Sequence, residues 1–165
     1  MEKLTITPAT EADIPAVADI LTDATTYKVE HGDMAWGTGG WSHSEVEDSN
    51  TEGTTYLVHD GGELVGTVAL QDTDERSWGE QPPDATYLHR LAFGHDFHGR
   101  GLGEQVIGWA AEMATLKGHQ FLRLDCDARN TSLCAYYERQ GFVKVGTKEI
   151  PEYKDYVAAL YQKAI

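Results

Sequence analysis

The chain has 165 residues, with 13 Lys and Arg against 27 Asp and Glu for a formal net charge of −14, and two cysteines. That length fits a single domain, 1–165, with one substantial core, and the acidic excess repels nucleic-acid phosphates and anionic lipid, which argues against both as partners. Cys126 and Cys134 form no C-x-x-C pair and are too few to staple a secreted fold; with no export signal and no run of ~18 apolar residues, the composition reads as a cytoplasmic protein with reduced thiols.

Residues 4–7 alternate apolar and polar like an opening strand that Pro8 stops. Thr10-Glu11-Ala12-Asp13 resembles a capping box with Asp in place of Glu, and Ile14, Val17, Ala18 and Leu21 follow at i, i+3, i+4 and i+7, the apolar stripe of a helix. From 27 to 53 the pattern dissolves around Gly32, Gly37, Gly39 and Gly40, with room for one short helix over 42–50; this segment reads as a mobile flap. Strands over 54–59 and 64–70 flank Asp60-Gly61-Gly62, where glycine supplies the positive φ of a tight hairpin. Residues 71–85 have loop composition, and their Pro82-Pro83 pair cannot sit inside a central strand. A strand over 86–93 comes next.

The stretch FHGRGLGEQV, 97–106, opens an amphipathic helix whose face is Val106, Ile107, Ala110, Met113 and Ala114, closed by Lys117-Gly118. A strand over 121–125, a helix that Asn130 caps and Gly141 ends, and strands over 142–148 and 155–161 complete the order β-α-(α)-β-β-β-α-β-α-β-β. That order predicts an α/β fold, a mixed sheet with helices on its faces.

Bare backbone at a helix start leaves several N–H groups pointing into a concave site of positive potential, which suits a phosphate or pyrophosphate. Walker A is absent, and G-x-G-x-x-G fails because Glu104 and Val106 stand where its third glycine would be. Arg90, His95, His98 and Arg100 surround the loop while Asp96 alone opposes them, so an anionic ligand is the economical explanation; the alternative is a glycine turn that exists for tight packing.

FHGRGLGEQVIGWA resembles the acyl-CoA-binding segment of the GNAT superfamily of N-acetyltransferases, [RQ]-x-x-G-x-[GA], with Gly101 and Gly103 at its two small positions. His98 departs from the pattern, standing where the family has Arg or Gln, which makes its side-chain contribution weaker or pH-dependent. YLHRLAF, 87–93, is similar to the family's fourth strand, and Asn130 through YYERQGF, 136–142, to its fourth helix. The resemblance covers essentially the whole chain. It implies an acetyl-CoA cosubstrate without a metal, in a mostly antiparallel sheet splayed between strands four and five. His98, Gly99, Arg100, Gly101, Leu102, Gly103 and Glu104 would then cradle the pyrophosphate, Leu91, Ala92 and Phe93 would present free backbone to pantetheine, and Asn130 would complete the cofactor site.

The same resemblance makes Tyr137 the acid that protonates the departing thiolate, against the plain reading of Tyr136 and Tyr137 as core-edge aromatics. An alkylamine must also lose a proton before attack, at a cost of roughly 4.6 kcal/mol at pH 7. His89 is the candidate base, directly or through water, or else an ordinary sheet histidine. Alternation groups Tyr87, His89, Leu91 and Phe93 on one face, unless a bulge reverses it. Both cysteines lie in apolar runs where a thiol is inert, which favours direct transfer in a ternary complex. Tyr27, Trp36, Trp41 and Trp78, with Asp72, Asp74 and Glu75, form either an amine acceptor pocket or the packing of a lid or homodimer contact. A primary amine of a small molecule is the expected acceptor. A protein N-terminus or lysine, and a non-catalytic acyl-CoA-binding module, are the alternatives.

Overall fold

A computed structural model describes residues 3–152 and 156–165. In chain order the elements are β1 (Thr5–Pro8), α1 (Ile14–Glu30), α2 (His43–Asn50), β2 (Thr54–Asp60), β3 (Glu63–Gln71), α3 (Glu75–Trp78), β4 (Ala85–Phe93), α4 (Leu102–Leu116), β5 (Phe121–Asp127), α5 (Thr131–Arg139), β6 (Val143–Glu149) and β7 (Val157–Ala164). Short 3-10 turns at Glu11–Asp13 and His95–Phe97 precede α1 and α4. The strands form one seven-stranded sheet in the order β1-β2-β3-β4-β5-β7-β6. Its β4–β5 pair is parallel, while β1–β2, β2–β3, β5–β7 and β6–β7 are antiparallel. This is the mixed α/β sheet the element order predicts. By backbone proximity the chain divides into two compact units, Met1–Gln71 with His89–Ile107, and Asp72–Leu88 with Gly108–Ile165.

In the first unit, Ile14, Val17, Ala18, Leu21 and Ala24 of α1 bury against Val46, Leu57 and Ala92. Each fully buried aliphatic chain of this kind contributes about 1.5–3 kcal/mol, so the apolar stripe of α1 determines where the helix lies. The capping box forms as read: the Asp13 carboxylate accepts from the Thr10 N–H at 2.7 Å and from its hydroxyl at 3.0 Å. These two bonds hold the carboxyl below its ordinary pKa. The hairpin also forms, with Gly61 at φ +58° and Gly62 at φ +85°, the pair of positive φ values a two-residue turn needs.

Four differences from the sequence reading have physical causes. Pro8 belongs to β1, opposite Tyr56; β1 ends the strand order, and an edge strand tolerates a residue with no N–H to donate. The segment 27–53 is docked instead of free-standing: α1 continues through Glu30, the Trp41 N–H and ring Nε1 donate to Thr22 Oγ1 (2.9 Å) and Thr25 Oγ1 (3.2 Å), and α2 buries Val46. Within 71–85, Asp74 caps the single turn α3 by accepting from the Ser77 N–H at 3.2 Å, too short a helix for its period to show in sequence. The last strand runs Val157–Ala164, and the predicted start at Asp155 lies outside the described residues.

In the second unit, Trp78, Ala85 and Tyr87 form a cluster with Phe121 and Leu160 packed on it. Arg123 is buried among these rings, its guanidinium 5.0 Å from the Trp78 ring and donating to the Tyr87 hydroxyl at 2.9 Å. No helix among the described residues is long and apolar enough to cross a membrane.

Candidate active site

The glycine turn lies in the first unit. Gly99 and Gly101 adopt φ +79° and +72°, and α4 begins at Leu102, itself buried, with Gly103 and Glu104 in its first turn. An ideal Cβ on Gly99 or Gly101 meets no atom within 4 Å. Close packing therefore does not require these glycines; the left-handed backbone does, since L side chains strongly disfavour it. At these two positions tight packing is not the reason for glycine. Two left-handed glycines directly ahead of a helix start leave backbone N–H groups there unshielded by side chains, and a helix start favours an anion.

The side chains expected to surround the turn differ in their settings. His98 stacks face to face on Tyr27, centroids 3.8 Å apart and planes 2° from parallel, so one ring face is dry although the residue as a whole is exposed. Loss of water pushes its pKa below the ordinary value, against an opposing hydrogen bond with the Phe93 backbone; at neutral pH the ring is uncharged. Arg100 is exposed and lies 5.1 Å from the Phe97 ring. Burial also lowers the pKa of Arg90, opposed by the charge of Glu52, and its Nη2 has no hydrogen-bond partner among the described residues. Arg100 is thus the exposed cation within the turn itself.

Arg90 has φ +49°, the single non-glycine residue with positive φ among those described. A left-handed residue inside a strand marks a bulge, so the simple alternation that grouped His89, Leu91 and Phe93 with Tyr87 does not carry across it. His89 and Leu91 flank the bulge and are half-buried, while Ala92 and Phe93 are buried. On β3, a Cβ at Gly66 would lie 2.5 Å from the Ala92 carbonyl oxygen and 2.6 Å from the Phe93 ring, so glycine there lets β4 approach closely. The β4–β5 ladder consists of Ala85↔Phe121, Thr86↔Leu122 and Tyr87↔Arg123, three pairs at the start of a nine-residue strand, as a splayed pair requires.

Asn130 and Tyr137 lie together in the second unit. The Asn130 side chain caps α5 by accepting from the Leu133 N–H at 3.1 Å. Tyr137 is buried among Tyr136, Phe142 and Tyr161, with ring centroids at 5.4, 5.7 and 6.3 Å, so its ring serves packing whatever its hydroxyl does. Cys126 and Cys134 form no disulfide, their sulfurs lie 3.8 Å apart, and the Cys134 thiol donates to the Asp127 carbonyl. The tryptophans also pack: Lys28 lies 4.9 Å over the Trp36 ring, Trp36 meets Trp41 edge-on at 5.8 Å, and Trp78 is buried in its own unit. These contacts lie within the chain. Tyr27 is engaged by His98. The sequence reading missed Asp23, whose Oδ2 accepts from the His95 N–H at 2.6 Å; the signal available was its position one helical turn before Tyr27.

The family model for the Acetyltransferase (GNAT) family matches residues 14–142, a span that takes in the glycine turn, β4 and α5. The chain belongs to the GNAT acetyltransferase family. A relative, the uncharacterized N-acetyltransferase YesJ of Bacillus subtilis (strain 168), is 27% identical over 146 residues, which cover 84% of this chain and 81% of that protein. The crystal structure of a GNAT-family acetyltransferase from Listeria monocytogenes 4b F2365 matches with a TM-score of 0.80 and 27% identity, over 98% of this chain and 95% of that one. The structure of AAC(6′)-Ib with acetyl-CoA bound has a TM-score of 0.79 at 20% identity, covering 99% and 94%, a likeness of fold.

Proposed function

We propose that this GNAT enzyme transfers an acetyl group from acetyl-CoA to a primary amine of a small molecule, by direct attack in a ternary complex. The observation that carries the reading is the Gly99–Gly101 turn, whose positive φ values serve no packing need and leave bare amides ahead of α4. In this reading the N–H groups of 99–104 hold the diphosphate, with Asn130 also contributing to the cofactor site, and the backbone of Leu91, Ala92 and Phe93 beyond the bulge receives pantetheine. The Leu91 N–H stabilises the oxyanion, a contribution of about 3 kcal/mol for one preorganised donor. Tyr137 returns a proton to the thiolate and His89 takes one from the amine. Two cysteines, too few to staple a secreted fold, suit the cytoplasm.

Support for a small cationic acceptor comes from the net charge of −14, which draws amines toward the surface, and from fold likeness to an aminoglycoside acetyltransferase solved with coenzyme A and kanamycin. The test is acetyl-CoA thiol release across polyamines, aminoglycosides, amino acids and peptides, with Tyr137→Phe in parallel. The expected result is acceptor-dependent release with small amines, and a kcat at least ~10²-fold lower in Tyr137→Phe at unchanged KM. A melting shift with CoA but no release under any acceptor would instead make the chain a binding module.

A further inference from the structure

Asp23 and Tyr27 stand at i and i+4 of α1 and so share one stripe of the helix, and His31, the residue that caps its C-terminus, follows four positions on. Each is committed to the same neighbourhood. Asp23 Oδ2 accepts from the His95 N–H at 2.6 Å and lies 3.7 Å from where a Cβ on Gly94 would stand. Tyr27 is stacked on both faces, by His98 at 3.8 Å and by His31 at 4.0 Å, and meets His95 edge-on at 5.5 Å. The His31 Nδ1 is 2.7 Å from the Tyr27 carbonyl oxygen, which keeps the outer ring of the stack in place. His98 directly precedes Gly99, the first left-handed residue of the turn.

Gly99 and Gly101 carry no side chains with which to anchor the turn, so little of its shape is held from within. Binding would then cost the entropy of ordering it, unless something outside the turn orders it in advance. The stripe on α1 supplies that constraint at two points, a hydrogen bond at residue 95 and an aromatic face at residue 98.

Resting on the acetyl-CoA reading above, we infer that Tyr27, seconded by Asp23, is a positioning residue for the cofactor: its ring clamps His98 and so presets the 99–101 turn for the diphosphate. Tyr27 does not itself touch the reacting atoms. His98 consequently serves as the handle by which α1 grips the turn, in place of the direct anion contact that an arginine or glutamine would make at that position.

The experiment compares wild type, Tyr27→Phe and Tyr27→Leu for the KM of acetyl-CoA and for kcat, with hydrogen exchange of 95–101 followed in the ligand-free proteins. Tyr27→Leu is expected to raise the KM for acetyl-CoA about tenfold with kcat within about twofold, and to speed exchange of the turn. Tyr27→Phe, which keeps the stacking ring, is expected to restore both. A Tyr27→Leu variant with wild-type KM and exchange overturns the inference, as does a Tyr27→Phe variant as impaired as Tyr27→Leu. Wild type that neither binds nor turns over acetyl-CoA overturns the cofactor reading itself, and the inference with it.

Discussion

Gly101→Ala places a methyl group in open space but on a φ of +72°, where an L residue costs about 1–2 kcal/mol. If the turn relaxes to escape that strain, its amides lose their common direction, and acetyl-CoA affinity should fall roughly 5- to 30-fold by calorimetric titration; unchanged affinity would show that the turn's handedness is irrelevant to the ligand. His98 makes a second prediction. Its dry ring face depresses the folded-state pKa below that of the unfolded chain, so the unfolded state binds the proton more readily. The stability it contributes is whole above about pH 6.5 and is lost as pH falls from there through the folded value. Its NMR titration should have a midpoint below 6.5, and the melting temperature of wild type should decline more than that of His98→Gln between pH 7.5 and 5; parallel curves would refute the assignment.

At the scale of elements, the approach of β4 to β3 depends on one missing side chain. Gly66→Ala would set a Cβ 2.5 Å from the Ala92 carbonyl oxygen, a backbone atom that can move only with its strand. A loss of about 1–3 kcal/mol is expected, as for other overpacked sites, read as a lower urea midpoint with a raised KM for acetyl-CoA; a wild-type midpoint would contradict the close approach. Which elements could be read from sequence follows from where their information lies. The stripe of α1, the Gly61-Gly62 turn, the Asn130 cap and the Gly118 end of α4 are local patterns with local causes, and each formed as read. The left-handed residue at Arg90 had no signal in the sequence, since arginine has no preference for that backbone. The partners of His98 were equally hidden, because Tyr27 reaches it from a distant part of the chain. The sequence left the tryptophans open between acceptor contacts and packing because composition does not show that Lys28 and Arg123 lie against them.

For the whole molecule, membership of the GNAT family and the bare turn before α4 support one account: the main chain of residues 99–104 holds the diphosphate, while Leu91–Phe93 receives pantetheine beyond the bulge. Net charge bears on the acceptor and scarcely on the donor, since the acidic excess repels a polyanion such as CoA at long range and leaves its capture to short-range amides and Arg100. The most direct test is hydrogen exchange with and without acetyl-CoA, resolved to single amides across 88–106. The account predicts slowed exchange concentrated at 91–93 and 99–104. Slowed exchange elsewhere with those two segments unaffected, at saturating acetyl-CoA, would contradict it.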